Sequence, residues 1–502
     1  MENRPNIDIL KEQLAELQQK MSAYNHALSL LSFDGATIAP RGTTANRART
    51  LGVLSGESYK LSTGEETIAL LEALDDRRDE LTAREQRQVE MLLKDIRRMQ
   101  KIPFDEYVAY QELLAEADDI WHTAKENSDF ALFEPYLEKI VATVRRIAQL
   151  CAPEKDPYDY WLNEYEEGLS AEKCDAFFAT VRARLVPLLK KVAAVPQVDD
   201  TCVKGAFTDQ QQEAFSRFLM EQMGLDMDHV TLATTEHPFT TSLGSHLDER
   251  ITTHYIPDDL SSSMFSVIHE GGHALYDTGS DDELAYTVLD GGVSMSIHES
   301  QSRFYENVIG RSRAFADFIT PVLHRFFPET TVYTGADFFR AFNRVQPSLI
   351  RTEADEVTYC LHIMVRYELE RALMSGKLKV HDLPEAWNRM YKEYLGVDVL
   401  SDRQGVLQDV HWSGGMFGYF PSYALGSAYA AQYLQEMKNS FDVEGDILKG
   451  DFTRVNAWNR EHIWHFGSEK TPETLLKNAV GAFDPDIYLQ YLENKCRDVY
   501  GI

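Results

Sequence analysis

The sequence is poor in cysteine. Its 502 residues include five, Cys151, Cys174, Cys202, Cys360 and Cys496. They are odd in number and scattered without paired spacing, which argues against a disulfide frame or a zinc ribbon and for buried free thiols in a reducing cytosol. No uninterrupted apolar run is long enough to span a bilayer. The start, Met1-Glu2-Asn3-Arg4-Pro5-Asn6-Ile7-Asp8, has no basic-then-apolar signal pattern. A cytoplasmic location and no membrane partner are therefore expected. Basic charge is scarce: 50 Lys and Arg against 80 Asp and Glu leave a net charge of -30. Such a surface repels a phosphate backbone, so nucleic acid is not an expected partner. Internal repeats, low-complexity tracts and Pro/Ser-rich linkers are also missing. Length alone suggests about three domains, but nothing marks a boundary, and a single domain over 1–502 is expected. Few stretches alternate like strands. The best candidate is Arg250–Ile256, read as a short hairpin edge near the site described below.

What is present is helical periodicity. Leu10, Leu14, Leu17, Met21, Tyr24, Leu28 and Leu31 form a seam for packing on another helix. Phe33-Asp34-Gly35-Ala36 is expected to break that helix, with a turn at Pro40-Arg41-Gly42. Helical patterns follow from Thr43 or Thr44, over Glu65–Met99, and over Tyr107–Lys125, Phe133–Leu150 and Ala171–Ala194. Charged runs such as Asp75–Glu80 are solvated faces and a turn.

One stretch organises the rest: Ser261-Ser262-Ser263-Met264-Phe265-Ser266-Val267-Ile268-His269-Glu270-Gly271-Gly272-His273-Ala274-Leu275-Tyr276. The serines offer N-caps. Phe265, Ile268, Gly272 and Leu275 make a buried stripe. His269 and His273, four apart, project from one face, so both imidazoles can bind one metal ion, with Glu270 beside them to reach a water. Two glycines are poor helix formers, at about 1 kcal/mol each relative to Ala. They make sense where another backbone or a substrate must come close.

A catalytic zinc site takes three protein ligands and a water. Glu299, on the helix after the Asp290-Gly291-Gly292 turn, is the best third ligand. Ser296-Ile297-His298-Glu299 also fits a capping box, in which Glu299 would serve only the helix end. His298 reads as a residue behind the ligands or in the core. With a metal in place, Glu270 takes the proton of the attacking water and passes it to the leaving amine. Tyr423, Tyr419 or His411, in or just before the glycine- and aromatic-rich loop Gly414–Tyr423, can supply an oxyanion donor; plain aromatic packing is the rival reading. Ile350–Asp355 is expected to open a helical stretch running through Leu361 and Tyr367. Arg351 suits a carboxylate; its rival role is an ion pair with Asp355.

Six motifs in order then carry a resemblance: His237-Pro238-Phe239; Asp248, Arg250 and Thr252 as Asp-x-Arg-x-Thr; His-Glu-x-x-His; His298-Glu299-Ser300-Gln301; Ile-Arg-x-x-Ala-Asp; and Gly-x-x-Gln-Asp-x-His-Trp from Gly405 to Trp412. The chain resembles the thermostable carboxypeptidase 1 group, the carboxypeptidase Taq family of metallocarboxypeptidases, over nearly its whole length. Phe33 departs from the family, which usually shows Trp there. The resemblance implies a mainly α, bundle-like fold with a deep central groove and one small β element near the metal. Residues 1–200 or so would line one side of the groove, and about 201–502 would hold the metal site. It implies release of single C-terminal residues from peptides, with broad specificity, poor action at proline, and a homodimer. By position, His269, His273 and Glu299 would hold zinc, with cobalt as a substitute, and Glu270 would be the base. Arg351 would meet the terminal carboxylate, His411 and Tyr423 the substrate or intermediate, and His237 and Arg250 would shape the groove. The alternatives are an endo-acting oligopeptidase with the same chemistry and a peptide-binding scaffold with a vestigial site.

Overall fold

The leucine seam of the first helix, Ile7–Thr37, is buried at Leu10, Leu14 and Leu17 and half-buried beyond. The computed structural model describes residues 6–502; residues 1–5, and with them most of the stretch without a signal pattern, lie outside the described residues. The seam meets Leu71, Leu74, Val89, Leu92, Leu93 and Ile96 from Glu65–Asp75 and Ala83–Lys101 in a small core of its own. The helix is not broken at Gly35. It runs to Thr37, with the Ile38 and Ala39 amides donating to Asp34 O. One glycine costs only about 1 kcal/mol, and Pro40 is the stronger stop because it can supply no amide and disfavours a helical predecessor.

From Ile102 to Val499 a second, continuous core holds the rest together. Phe104–Asn127, Phe130–Cys151 and Ala171–Ala193 form as their apolar periodicity predicts. The five cysteines are free and buried. No helix among the described residues is long and apolar enough to cross a membrane.

The small β element is a three-stranded sheet of β1 (Val230–Thr234), β2 (Thr240–Leu243) and β3 (Ser245–Thr253). Its order is β1-β3-β2, with β1 parallel and β2 antiparallel to β3. The expected edge strand is therefore the central one, and it ends at Thr253 and not Ile256. Its inner residues Ile251, Thr252 and Thr253 are buried, because tertiary cover, which alternation does not report, decides which strand sits in the middle. Gly244 makes the β2–β3 turn at φ +75. The first helix grips that turn: Ser22 donates to Gly244 O at 2.6 Å, and His26 Nδ1 donates to Leu243 O at 3.0 Å.

Three helices then build the site. The motif helix is Leu260–Thr278, the Glu299 helix is Met295–Arg303, and the Tyr423 helix is Phe420–Ser440. The motif helix is capped by Asp259, whose side chain accepts from Ser261 N, so the serines lie inside the helix. The Glu299 helix is capped by Ser294, which accepts from Ile297 N. The capping-box reading of Glu299 therefore fails, and its carboxylate is free for another role.

Candidate metal centre

The i,i+4 spacing brings the two rings to one face, with centroids 5.0 Å apart. Glu299 Oε2 lies 3.8 Å from His269 Nε2 and 3.7 Å from His273 Nε2. One donor atom from each of the three residues falls within 4.8 Å of the others. Two imidazoles and a carboxylate converging at this spacing fit a divalent ion. The two histidine side chains keep 19% and 17% of their surface, so water and a substrate can reach the cluster.

Close helix approach makes the convergence possible. A Cβ on Gly272 would stand 2.7 Å from Gln301 O and 2.8 Å from Ser302 Cα. One on Gly426 of the Tyr423 helix would stand 2.7 Å from Glu299 Cβ. Both are distances that real Cβ atoms do not tolerate, so the Glu299 helix is clamped between two glycine contacts. The expectation that the motif glycines admit another backbone is thus met at Gly272.

Each residue of the cluster is backed by a further group. His269 Nδ1–H donates to Glu306 at 2.9 Å. His273 Nδ1 is hydrogen-bonded to His298 Nδ1 at 2.7 Å, and His298 Nε2 reaches Asp277 at 3.1 Å, so His298 sits behind His273. Arg303 donates to Glu299 Oε1 at 2.6 Å, leaving Oε2 toward the rings. Burial, with the His298 and His269 rings, pushes His273 well below its ordinary value, toward the neutral form in which an imidazole can bind a metal. Burial also opposes charge on His269, but Glu306 and Glu299 outweigh it and raise that ring's pKa.

Glu270, the residue after His269, is tied to the sheet. Thr240 of β2 donates to its Oε2 at 2.6 Å. Burial raises the carboxyl above its ordinary range, although His269 and Thr240 lower it. The Asp-x-Arg-x-Thr and His-Pro-Phe motifs set that strand in place: Phe239 N donates to Thr252 Oγ1 at 2.7 Å, and Thr252 Oγ1 faces Phe239 O at 2.9 Å. His237 itself is exposed on the loop before β2. Arg250 is held by Asp248 at 2.7 and 3.0 Å and stacks over Phe33 at 5.9 Å. Phe33, distant in sequence, also packs edge-on to Phe239 with centroids 6.2 Å apart.

Arg351 differs from expectation in its setting. It lies in a 3-10 turn, Arg351–Glu353, and the helix proper is Glu356–Met374. Asp355 is that helix's N-cap, accepting from Val357 N and Thr358 N, so it is spent and does not pair with Arg351. The partner is Asp409, 2.9 Å from both Nε and a terminal nitrogen, and Asp409 also accepts from Arg366 Nε at 2.6 Å. Burial alone would raise Asp409, but the two guanidiniums hold it well below the carboxylate range. The other Arg351 terminal nitrogen faces Tyr359 Oη at 3.4 Å. Arg303 stacks on the Tyr359 ring at 4.2 Å, so this tyrosine links the carboxylate-binding candidate to the metal cluster.

Tyr423 stands on the first turn of its helix and not in the loop. His411 Nε2 lies 3.1 Å from its hydroxyl. Burial, helped by Arg351 and Arg366 and opposed by Asp409, pushes His411 down to about 4. Burial raises Tyr419 to about 12 and Tyr423 well above its ordinary value. His411 is thus a neutral imidazole and both phenols keep their protons near neutral pH.

Sequence reasoning missed Glu306, Asp277, Thr240 and Asp409 as parts of this centre. Glu306 is seven residues after Glu299 and Asp277 four after His273, spacings that return to one helix face. Asp409 lies inside a motif already noticed. Thr240 left no local signal.

A helical scaffold with His-Glu-x-x-His on one helix and a carboxylate from the next, open on one side, defines a metallopeptidase. Residues 13–496 match the carboxypeptidase Taq (M32) metallopeptidase family, and the chain belongs to that family. Similar proteins include carboxypeptidase 1 of Bacillus subtilis, 38% identical over 98% of this chain and 99% of that one. Thermostable carboxypeptidase 1 of Pyrococcus furiosus is 36% identical over 97% of this chain and 98% of its own. The crystal structure of the M32 carboxypeptidase from Deinococcus radiodurans R1 superposes with a TM-score of 0.95 at 36% identity, covering 98% of this chain and 100% of that chain.

Proposed function

We propose that this protein is a zinc carboxypeptidase that removes single residues from peptide C-termini, with His269, His273 and Glu299 as ligands and Glu270 as general base. The observation that carries the reading is the approach of Glu299 Oε2 to both Nε2 atoms, at 3.8 and 3.7 Å, on a partly open face. A divalent ion held there supplies a Lewis acid that acidifies water and polarises a carbonyl. Cobalt, which also accepts imidazole and carboxylate, would serve in its place.

The chain's own groups divide the remaining work. Glu270 keeps one oxygen bonded to Thr240; the other takes the proton of the attacking water and returns it to the leaving amine. Its raised pKa brings it nearer the working pH, where a base is most effective. Neutral His411 donates its Nε2–H to Tyr423 Oη, which turns the tyrosine proton toward the developing oxyanion. Such a donor is worth about 3 kcal/mol in the transition state. Asp409 occupies one edge of Arg351, and the remaining edge receives the peptide's terminal carboxylate. His237 and Arg250 contact the peptide beside the sheet. Broad specificity with poor action at proline, a cytoplasmic location and a homodimer complete the proposal.

The test is mass spectrometry of one peptide as free acid and as C-terminal amide, with chelator-stripped and zinc-restored protein. Stepwise loss from the C-terminus of the free acid, abolished by stripping and sharply slowed by the amide, is the expected result. Internal cuts at equal rates in both peptides would establish an oligopeptidase instead.

A further inference from the structure

Behind His269 stands a carboxylate that the reaction above leaves unused. Glu306 Oε2 accepts from His269 Nδ1–H at 2.9 Å and from Arg303 at 3.0 Å; its Oε1 accepts from Arg311 at 3.0 Å. Arg303 also donates to Glu299. A buried chain, Glu299–Arg303–Glu306–His269, therefore joins two of the three cluster residues from behind.

The backbone departs from the α-helix where Arg311 joins Glu306. The Glu299 helix passes into a π-helical turn, Phe304–Ile309, all of it buried, and Gly310 N donates to Tyr305 O at 2.8 Å. On a continuing α-helix, residues five apart sit about 140° apart round the axis, and Arg311 would face away from Glu306. The wide turn returns it. Such turns are rare and gather at functional sites. Three donors on two oxygens leave the Glu306 carboxylate no room to rotate.

We infer that Glu306 is the positioning residue for His269, an inference that rests on the proposed role of His269 as a metal ligand. Because a carboxylate only accepts, it keeps the ring proton on Nδ1. Nε2 is left bare and aimed at the side where Glu299 lies. The adjacent charge also makes the ring a stronger ligand. His273 has no equivalent anion in contact; its Nδ1 meets the His298 ring. Glu306 is thus the one carboxylate, among the hydrogen bonds of the described residues, that accepts directly from the Nδ1 of a proposed histidine ligand.

The test compares the parent with Glu306→Gln and Glu306→Asp. The measured quantities are Zn2+ and Co2+ affinity by chelator competition, the visible spectrum of the Co2+ form, and the melting temperature of metal-free protein. Both variants are expected to lose about 10–100-fold in metal affinity and to shift the Co2+ bands, while KM in metal-saturated protein stays within about twofold. Parent-like affinity with a lowered metal-free melting temperature would overturn the inference, leaving Glu306 as a counter-ion for Arg303 and Arg311. Should the single variants fail to fold, Glu306→Gln combined with Arg311→Met restores the charge balance. Weak metal binding by that double variant sustains the inference, and parent-like binding overturns it. His269→Ala separates the two levels. If it binds metal as the parent does, the metal-ligand reading itself fails. If it loses the metal while the Glu306 variants keep it, only the positioning role falls.

Discussion

Gly272 touches the backbone of Gln301. A single methyl group at Gly272 would stand 2.7 Å from the Gln301 carbonyl oxygen, inside any normal contact, and Glu299 lies two residues before Gln301 on that same helix. A methyl group at its neighbour Gly271 would instead meet Met223 Cε at 2.9 Å and Sδ at 3.0 Å, the soft end of a flexible side chain.

The two glycines should therefore respond differently. Gly271→Ala gains helix propensity of about 1 kcal/mol and is expected to keep its melting temperature and its metal. Gly272→Ala must push the Glu299 helix outward, and should lower the melting temperature and weaken metal binding by at least about tenfold. Thermal melts and chelator competition on the pair check this. Equal behaviour of the two variants would refute the close-approach account.

Removing the proposed base, Glu270, should leave metal binding unchanged. Glu270→Gln preserves the shape of the side chain and an acceptor for Thr240, so metal content measured by atomic emission should match the parent. Turnover should fall by about 100-fold or more, the usual contribution of a positioned general base. Hydrolysis at the parent rate would remove Glu270 from the mechanism.

Arg351→Met tests carboxylate recognition. Asp409 retains Arg366 at 2.6 Å, so its charge is not left alone, and the fold should survive at reduced stability. The kcat/KM for a free-acid peptide should drop by about 100-fold, with little change for the already slow amide. An equal loss on both substrates would mean that Arg351 serves only structure.

Glu166 should write a signature into the pH dependence of stability. Its carboxyl accepts from Ser296 N at 3.2 Å on the Glu299 helix, and burial raises it from 4.5 to about 7 despite the serine hydrogen bonds. The folded state thus holds a proton that the unfolded chain releases above its lower pKa. The associated stability is fully present below about pH 4.5 and is lost as pH rises to about 7. Glu166→Gln cannot titrate, so the fall in metal-free melting temperature over that interval should flatten in the variant. Parallel curves for parent and variant would contradict the raised pKa.

The motif helix was legible because its information is local. An i,i+4 pair of histidines faces one way on any helix, and Glu299 follows on the next amphipathic segment. The helix starts were read less well. Asp259 and Ser294, not the serines or the Ser296 box, do the capping, because several neighbouring side chains can cap equally well until the chain's approach is known. Arg351 shows the same limit more sharply. Its nearest acidic residues in sequence are Glu353 and Asp355, yet its partner is Asp409, fifty-eight positions on.

Sequence alone determined the chemistry on offer: two imidazoles set one turn apart by the fixed pitch of a helix, a glutamate beside them and a second carboxylate on the helix that follows. Tertiary structure decided how that chemistry is held. The Gly426 clamp on the Glu299 helix and the Asp409 partnership join segments far apart along the chain, and the π-helical turn that presents Glu306 and the central place of β3 depend on what packs against them. Packing, which is non-directional and collective, selects among such pairings only when the whole core closes.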